Sequence, residues 1–345
     1  MSIEEAIQKL DSSYKFYHEW SKTSLQQRKH VVGQILDYFA SNSDEIASEV
    51  SIQMGKPIKQ SKKELIEAQE LSKQLMELAE SALEPSLLQS KGNFRTKLTK
   101  ESIGPVLVCT PYTHPVLSVV AAVVPALLCG NTVVLKHSPY TPLTAQRFTK
   151  ACEQAGVPEL IQDCLIPITE FPVLLDQPEV AYLHFSGSSE SGRTIYKNVG
   201  SLSFMDTGLF LSTKNPVYVA EDTDLDNCVL KIVKNSMYNA GQSTWKFEKV
   251  YVHENLIEDF IKRAEPLVKS YTIGDPLDDL TTLGPITVPE NLENMRELIE
   301  EAVGSDGDLI CGGSICNDET GRGRFFEPSL ICALDENMRI FVSFT

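Results

Sequence analysis

Up to about residue 85 the apolar positions recur at helical spacing. Ser24 and Gln27 make a capping-box pair ahead of Val31, Val32, Ile35, Leu36 and Phe39, which predicts a helix from Leu25 onward. Met54-Gly55-Lys56-Pro57 breaks the pattern, and a long helix over 58–83 with a charged outer face is predicted after it. Beyond Ile103 the pattern changes. Short apolar runs at 106–109, 131–136, 164–166 and 181–185 read as strands, and 115–128, 143–155 and 188–199 read as helices. Such alternation predicts an α/β fold with a parallel sheet covered on both faces. A second region of this kind is expected to start near Ser203. It has strands at 216–220 and 250–252, helices starting near Asp224, at 254–270 and at 292–303, and strands around turns at 308–313 and 325–334.

Composition narrows the function classes. The chain has 345 residues, enough for about two domains, and 42% of them are apolar, an ordinary value for a chain with a real core. The formal charge is −16, from 47 acidic and 31 basic residues, which disfavours nucleic acid and anionic membranes as partners. The longest apolar run, 116–129, is interrupted by Pro125 and suits a buried helix better than a membrane span. The N-terminus is acidic and amphipathic, without the basic-then-apolar pattern of a secretory signal, so a cytoplasmic protein is expected. Eight scattered cysteines and six dispersed histidines form no CxxC, HxxxH or HExxH set. They predict reduced, packed thiols and no protein-built metal site.

Ten short blocks, in order, resemble the aldehyde dehydrogenase superfamily, nearest its succinate-semialdehyde type. They are Met54-Gly55-Lys56-Pro57, Gly104-Pro105-Val106 with Thr110-Pro111-Tyr112, Gly130 to Lys136, Ala155-Gly156-Val157-Pro158, Phe185-Ser186-Gly187-Ser188, Lys214-Asn215-Pro216, Asn239-Ala240-Gly241-Gln242, Gly274-Asp275-Pro276, Leu283-Gly284-Pro285 and Phe325-Phe326-Glu327-Pro328. The resemblance implies that residues 1–208 form a Rossmann-like cofactor-binding domain with its N-terminal helices, and that 209–345 form a catalytic domain. It also implies a strand segment for oligomer contacts beginning at 93–101.

The loop from Gly187 to Gly192 follows an apolar strand and opens a helix. It is either a phosphate cradle of backbone N–H groups or an ordinary strand-to-helix turn. The resemblance implies the cradle for NAD or NADP, with Ser188 touching phosphate, and it sets Lys136 against the adenosine ribose. A solvated strand-end lysine is the alternative for Lys136. The family's ribose-gripping glutamate, three residues further on, is here Pro139, which offers no carboxylate. Cofactor binding is therefore expected to be weak or absent.

Aldehyde oxidation through a covalent intermediate needs a nucleophile, oxyanion donors, a hydride acceptor and a base. The resemblance places Thr244 at the cysteine nucleophile, Thr113 at the oxyanion asparagine and Phe210 at the general-base glutamate. The 34 residues from Phe210 to Thr244 match the interval between base and nucleophile, so the register holds. A threonine hydroxyl needs activation, and phenylalanine accepts no proton. Asp206 is a displaced base or, more simply, a turn aspartate. Cys228 reads as a packed helix cysteine. Trp245 fills a substrate funnel or packs a core.

The resemblance further implies that the family's chain runs on beyond the equivalent of Thr345, with remaining strands and a subunit-pairing strand. Exposed sheet edges covered by a homo-oligomer or a protein partner are therefore expected. The leading reading is an aldehyde dehydrogenase-like protein without catalysis. Its rivals are an NAD(P)-dependent semialdehyde oxidoreductase with atypical residues and a product with a fold and no role.

Overall fold

A computed structural model describes residues 1–91, 94–321 and 323–342. Chain contacts separate two compact units, Met1–Ile46 with Lys62–Leu211, and Ala47–Ser61 with Ser212–Thr345. Residues 47–61, expected with the first domain, fall in the second unit.

Four helices lead the chain: α1 (Ile3–Trp20), α2 (Leu25–Ser41), α3 (Ser43–Met54) and α4 (Ile58–Leu83). Ser24 and Gln27 form the expected reciprocal capping box on α2, and Ser2 with Glu5 makes a second one on α1. Strands β1 (Ser86–Lys91) and β2 (Phe94–Leu98) then pair as an antiparallel hairpin. The segment expected at 93–101 thus begins earlier, at Ser86. Asn93 itself lies outside the described residues.

The first unit is built on β3 (Val106–Thr110), α5 (Pro115–Leu128), β4 (Val133–His137), α6 (Pro142–Gln154), β5 (Ile161–Asp163), α7 (Phe171–Leu175), β6 (Tyr182–Gly187), α8 (Ser189–Leu202) and β7 (Asp206–Leu211). The five strands form one sheet in the order β5-β4-β3-β6-β7, with every pairing parallel. β3 and β4 are apolar and buried because helices cover both faces. Leu107, Val134, Leu183, Ile195, Phe171 and Leu10 share one core cluster.

Two expectations change here. The strand expected at 164–166 lies at Ile161–Asp163, because the pairing of β4 with β5 runs from Val133↔Ile161 to Leu135↔Asp163. Cys164 and Ile166 are apolar because they are buried in the core beyond the strand end. The second region does not begin near Ser203. β7 is the fifth strand of the first sheet, an edge strand with Leu209 and Leu211 packed inward and Phe210 exposed.

The second unit continues with β8 (Pro216–Val219), α9 (Leu225–Met237), β9 (Lys249–Val252), α10 (Ile257–Lys269), α11 (Pro289–Gly304), β10 (Asp308–Cys311), β11 (Ile315–Cys316), β12 (Phe325–Phe326), β13 (Leu330–Cys332) and α12 (Arg339–Val342). Among the described residues its strands pair in twos: β8 with β9 in parallel, β10 with β13 and β11 with β12 antiparallel. The strands expected at 308–313 and 325–334 are therefore shorter pieces. Val229, Ile232, Phe260, Ala264 and Val268 of α9 and α10 make its main core. Among the described residues no helix is long and apolar enough to cross a membrane.

Candidate functional site

In the first unit the chain order reverses at β3, so the crevice beyond the carboxyl ends of β3 and β6 is the expected ligand position of an open parallel sheet. Four sequence-predicted residues sit at carboxyl ends of its strands. Thr113 follows β3, Lys136 is next to last on β4, Gly187 ends β6, and Phe210 is next to last on β7.

Thr113 lies in the turn from β3 into α5. That turn is held by Glu64 of α4, a 1% exposed carboxylate whose Oε1 accepts from the N–H groups of Val116 and Leu117 at 2.8 and 3.0 Å. A carboxylate at a helix N-terminus satisfies two of the donors that the helix leaves open. Nothing in the local sequence signals Glu64, because its partners lie 52 and 53 residues away. His137 ends β4 and is buried, with Nδ1 bonded to the Thr110 hydroxyl and Nε2 to the Thr141 hydroxyl at 3.0 Å. Burial pushes its pKa down to about 3, so both bonds involve a neutral ring.

Ser188 is the N-cap of α8. Its Oγ accepts from the Ser191 N–H at 3.1 Å and donates to the Ser191 hydroxyl at 2.9 Å. Glu190 stands in the first turn. One open donor of this helix start is thus taken up internally, and a carboxylate already occupies the electropositive end. Gly192 is required by packing: a Cβ there would lie 2.3 Å from Leu211 Cδ2, so its absence lets α8 approach β7. The Lys136 ammonium sits 5.7 Å from the centroid of the buried Phe171 ring.

Phe210 is 55% exposed and stacks on His184 of β6, with ring centroids 4.5 Å apart and 22° between planes. The register pairs His184 with Gly208 and Ser186 with Phe210, so the two rings are diagonal neighbours on one face. Burial pushes the His184 pKa down to about 4, and the stacked imidazole is neutral at pH 7. Asp206, the alternative base, opens β7 at the far end of the strand from Phe210 and is exposed.

Thr244 belongs to the second unit, in the loop between α9 and β9. The loop leaves α9 through a turn of 3-10 helix, Tyr238–Gly241, with Asn239 and Ala240 both at φ 53° and Gly241 at φ 73°. Two non-glycine residues in the left-handed region cost about 1–2 kcal/mol each, so surrounding bonds must hold them. They do. Gln60 Oε1 accepts from the Asn239 N–H at 2.8 Å, and Asn239 Nδ2 donates to the Gln242 carbonyl at 2.8 Å. Gln242 Nε2 donates to Pro285 O at 3.3 Å, and its Oε1 accepts from the Thr287 N–H at 2.9 Å. Asn215 Nδ2 donates to the carbonyls of Thr244 and Lys246 at 2.8 and 2.9 Å, and the Ser236 hydroxyl donates to Phe247 O at 2.7 Å.

The sequence blocks of this unit meet around that loop. A Cβ at Gly284 would lie 1.7 Å from Gly55 O, so the 54–57 and 283–285 blocks touch backbone to backbone. The Thr287 hydroxyl donates to Met54 O at 2.7 Å, and the Ile58 N–H donates to Pro276 O at 2.8 Å. Lys56 is wholly buried, with its ammonium 5.2 Å from the Tyr238 ring centroid. Against this ordered frame the Thr244 side chain stands out. It is half-buried, and among the described residues its hydroxyl makes no hydrogen bond to any side chain that could take its proton. Trp245 is 58% exposed and fills no core.

The aldehyde dehydrogenase family model matches residues 1–343. Omega-crystallin of Nototodarus sloanii is 26% identical over 339 residues, covering 98% of this chain and 68% of that relative. The NADP(+) succinate-semialdehyde dehydrogenase of Mycobacterium avium is 27% identical over 322 residues, covering 92% of this chain and 67% of its own. The fold is likewise that of a succinic semialdehyde dehydrogenase from Streptococcus pyogenes, solved with NADP+, at a TM-score of 0.92 and 23% identity over 99% of this chain and 74% of that one. Matched by that family model over residues 1–343, the chain belongs to the aldehyde dehydrogenase family.

Proposed function

We propose that this chain is an aldehyde dehydrogenase-like protein that does not oxidise aldehydes and binds NAD or NADP weakly or not at all. The observation that carries the reading is the contrast at Thr244. Its loop is held by seven named side-chain bonds through Gln60, Asn239, Gln242, Asn215 and Ser236, yet the residue it presents is a hydroxyl with no base bonded to it among the described residues. A thiolate forms readily near neutral pH, whereas a threonine hydroxyl attacks only when a base removes its proton. Phe210 and Thr113 take the family positions of the base and the oxyanion donor, so all three chemical roles are affected. Each such loss alone costs on the order of two to four powers of ten in rate.

The cofactor side supports the same reading. Ser188 caps its own helix, Glu190 repels a pyrophosphate, and Pro139 supplies no carboxylate to a ribose. These residues fit a dinucleotide poorly. NAD and NADP titrated against the purified protein are expected to give no saturable signal at micromolar concentration. With succinate semialdehyde and either nucleotide, absorbance at 340 nm is expected to stay flat. Turnover above about 1 per second would overturn the proposal and favour an oxidoreductase with atypical groups. The variant Thr244→Cys is expected to gain a thiol that alkylating reagents modify, and still no turnover, because Phe210 and Thr113 remain.

A further inference from the structure

We draw no further inference here: the strongest candidate, the β1–β2 hairpin with Leu87, Leu88, Phe94 and Leu98 exposed, carries nothing because nothing in the structure shows what covers it.

Discussion

The two units handle the same problem, the open edges of β-strands, in opposite ways. In the first, five parallel strands share one sheet, and α5, α6 and α8 connect them. Its central strands are bonded on both sides, and their side chains are buried on both faces. In the second, the six strands among the described residues pair only two by two, around a cavity of about 680 Å³. Both units are rich in apolar strand residues, so hydrophobicity does not separate them. Pairing does. A continuous sheet converts apolar strands into a core, whereas isolated pairs bury less and leave strand edges unpaired among the described residues.

The largest test of this contrast is a matched pair of truncations followed by urea unfolding. Leu135 lies mid-sheet at 0% exposure. Leu135→Ala is expected to cost about 3 kcal/mol through lost transfer and a cavity. Val250 on the open edge of β9 is half-buried, and Val250→Ala is expected to cost under about 1 kcal/mol. Equal costs would break the comparison.

A second test uses pH in the first unit. An unfolded chain holds His137 near its ordinary value of 6.5, while burial in the fold pushes it down to about 3. Between those values the unfolded chain binds a proton that the folded one refuses. The stabilisation from the neutral, doubly bonded ring is therefore complete above pH 6.5 and is lost as pH falls toward 3. At pH 5 the loss is expected to be about 2 kcal/mol. His184, pushed down to about 4 by burial, acts in the same direction. Urea unfolding at pH 7.5 and 5.0 measures the sum, and His137→Asn is expected to remove the larger part of the difference. An unchanged pH dependence in that variant would show that the ring titrates normally.

The smallest test concerns the frame around Thr244. Ala240 sits at φ 53°, where glycine has no steric penalty. Ala240→Gly is expected to raise stability by about 0.5 kcal/mol, the relief of strain less the added freedom of the unfolded chain. A loss of more than about 1 kcal/mol would mean that the methyl group packs in a way that outweighs the strain.

Much of this was legible one segment at a time. The capping box at Ser24, the break at 54–57, the helix at 115–128 and the helix start at Asp224 all rest on contacts within a few residues. The family resemblance was legible because ten short blocks occur in order. β7 was missed because its apolar content is thin, with Asp206, Thr207 and Gly208 leading an edge strand that shows its aromatic ring to solvent. The side chains that hold the candidate site were missed for another reason. Glu64 under the 111–115 turn and Asn215 across the 244–246 loop act over 52 and 29 residues, and no local pattern announces such bonds.

The sequence by itself determined most of the elements, the α/β class and the family. Those follow from spacing and residue identity, which short windows carry. Only the tertiary structure decided that Phe210 lies against a neutral His184, that Ser188 and Glu190 close their own helix start, and that β9 and β13 line one cavity. Each depends on which distant strands pair and what burial does to a charge, and both are properties of the folded chain.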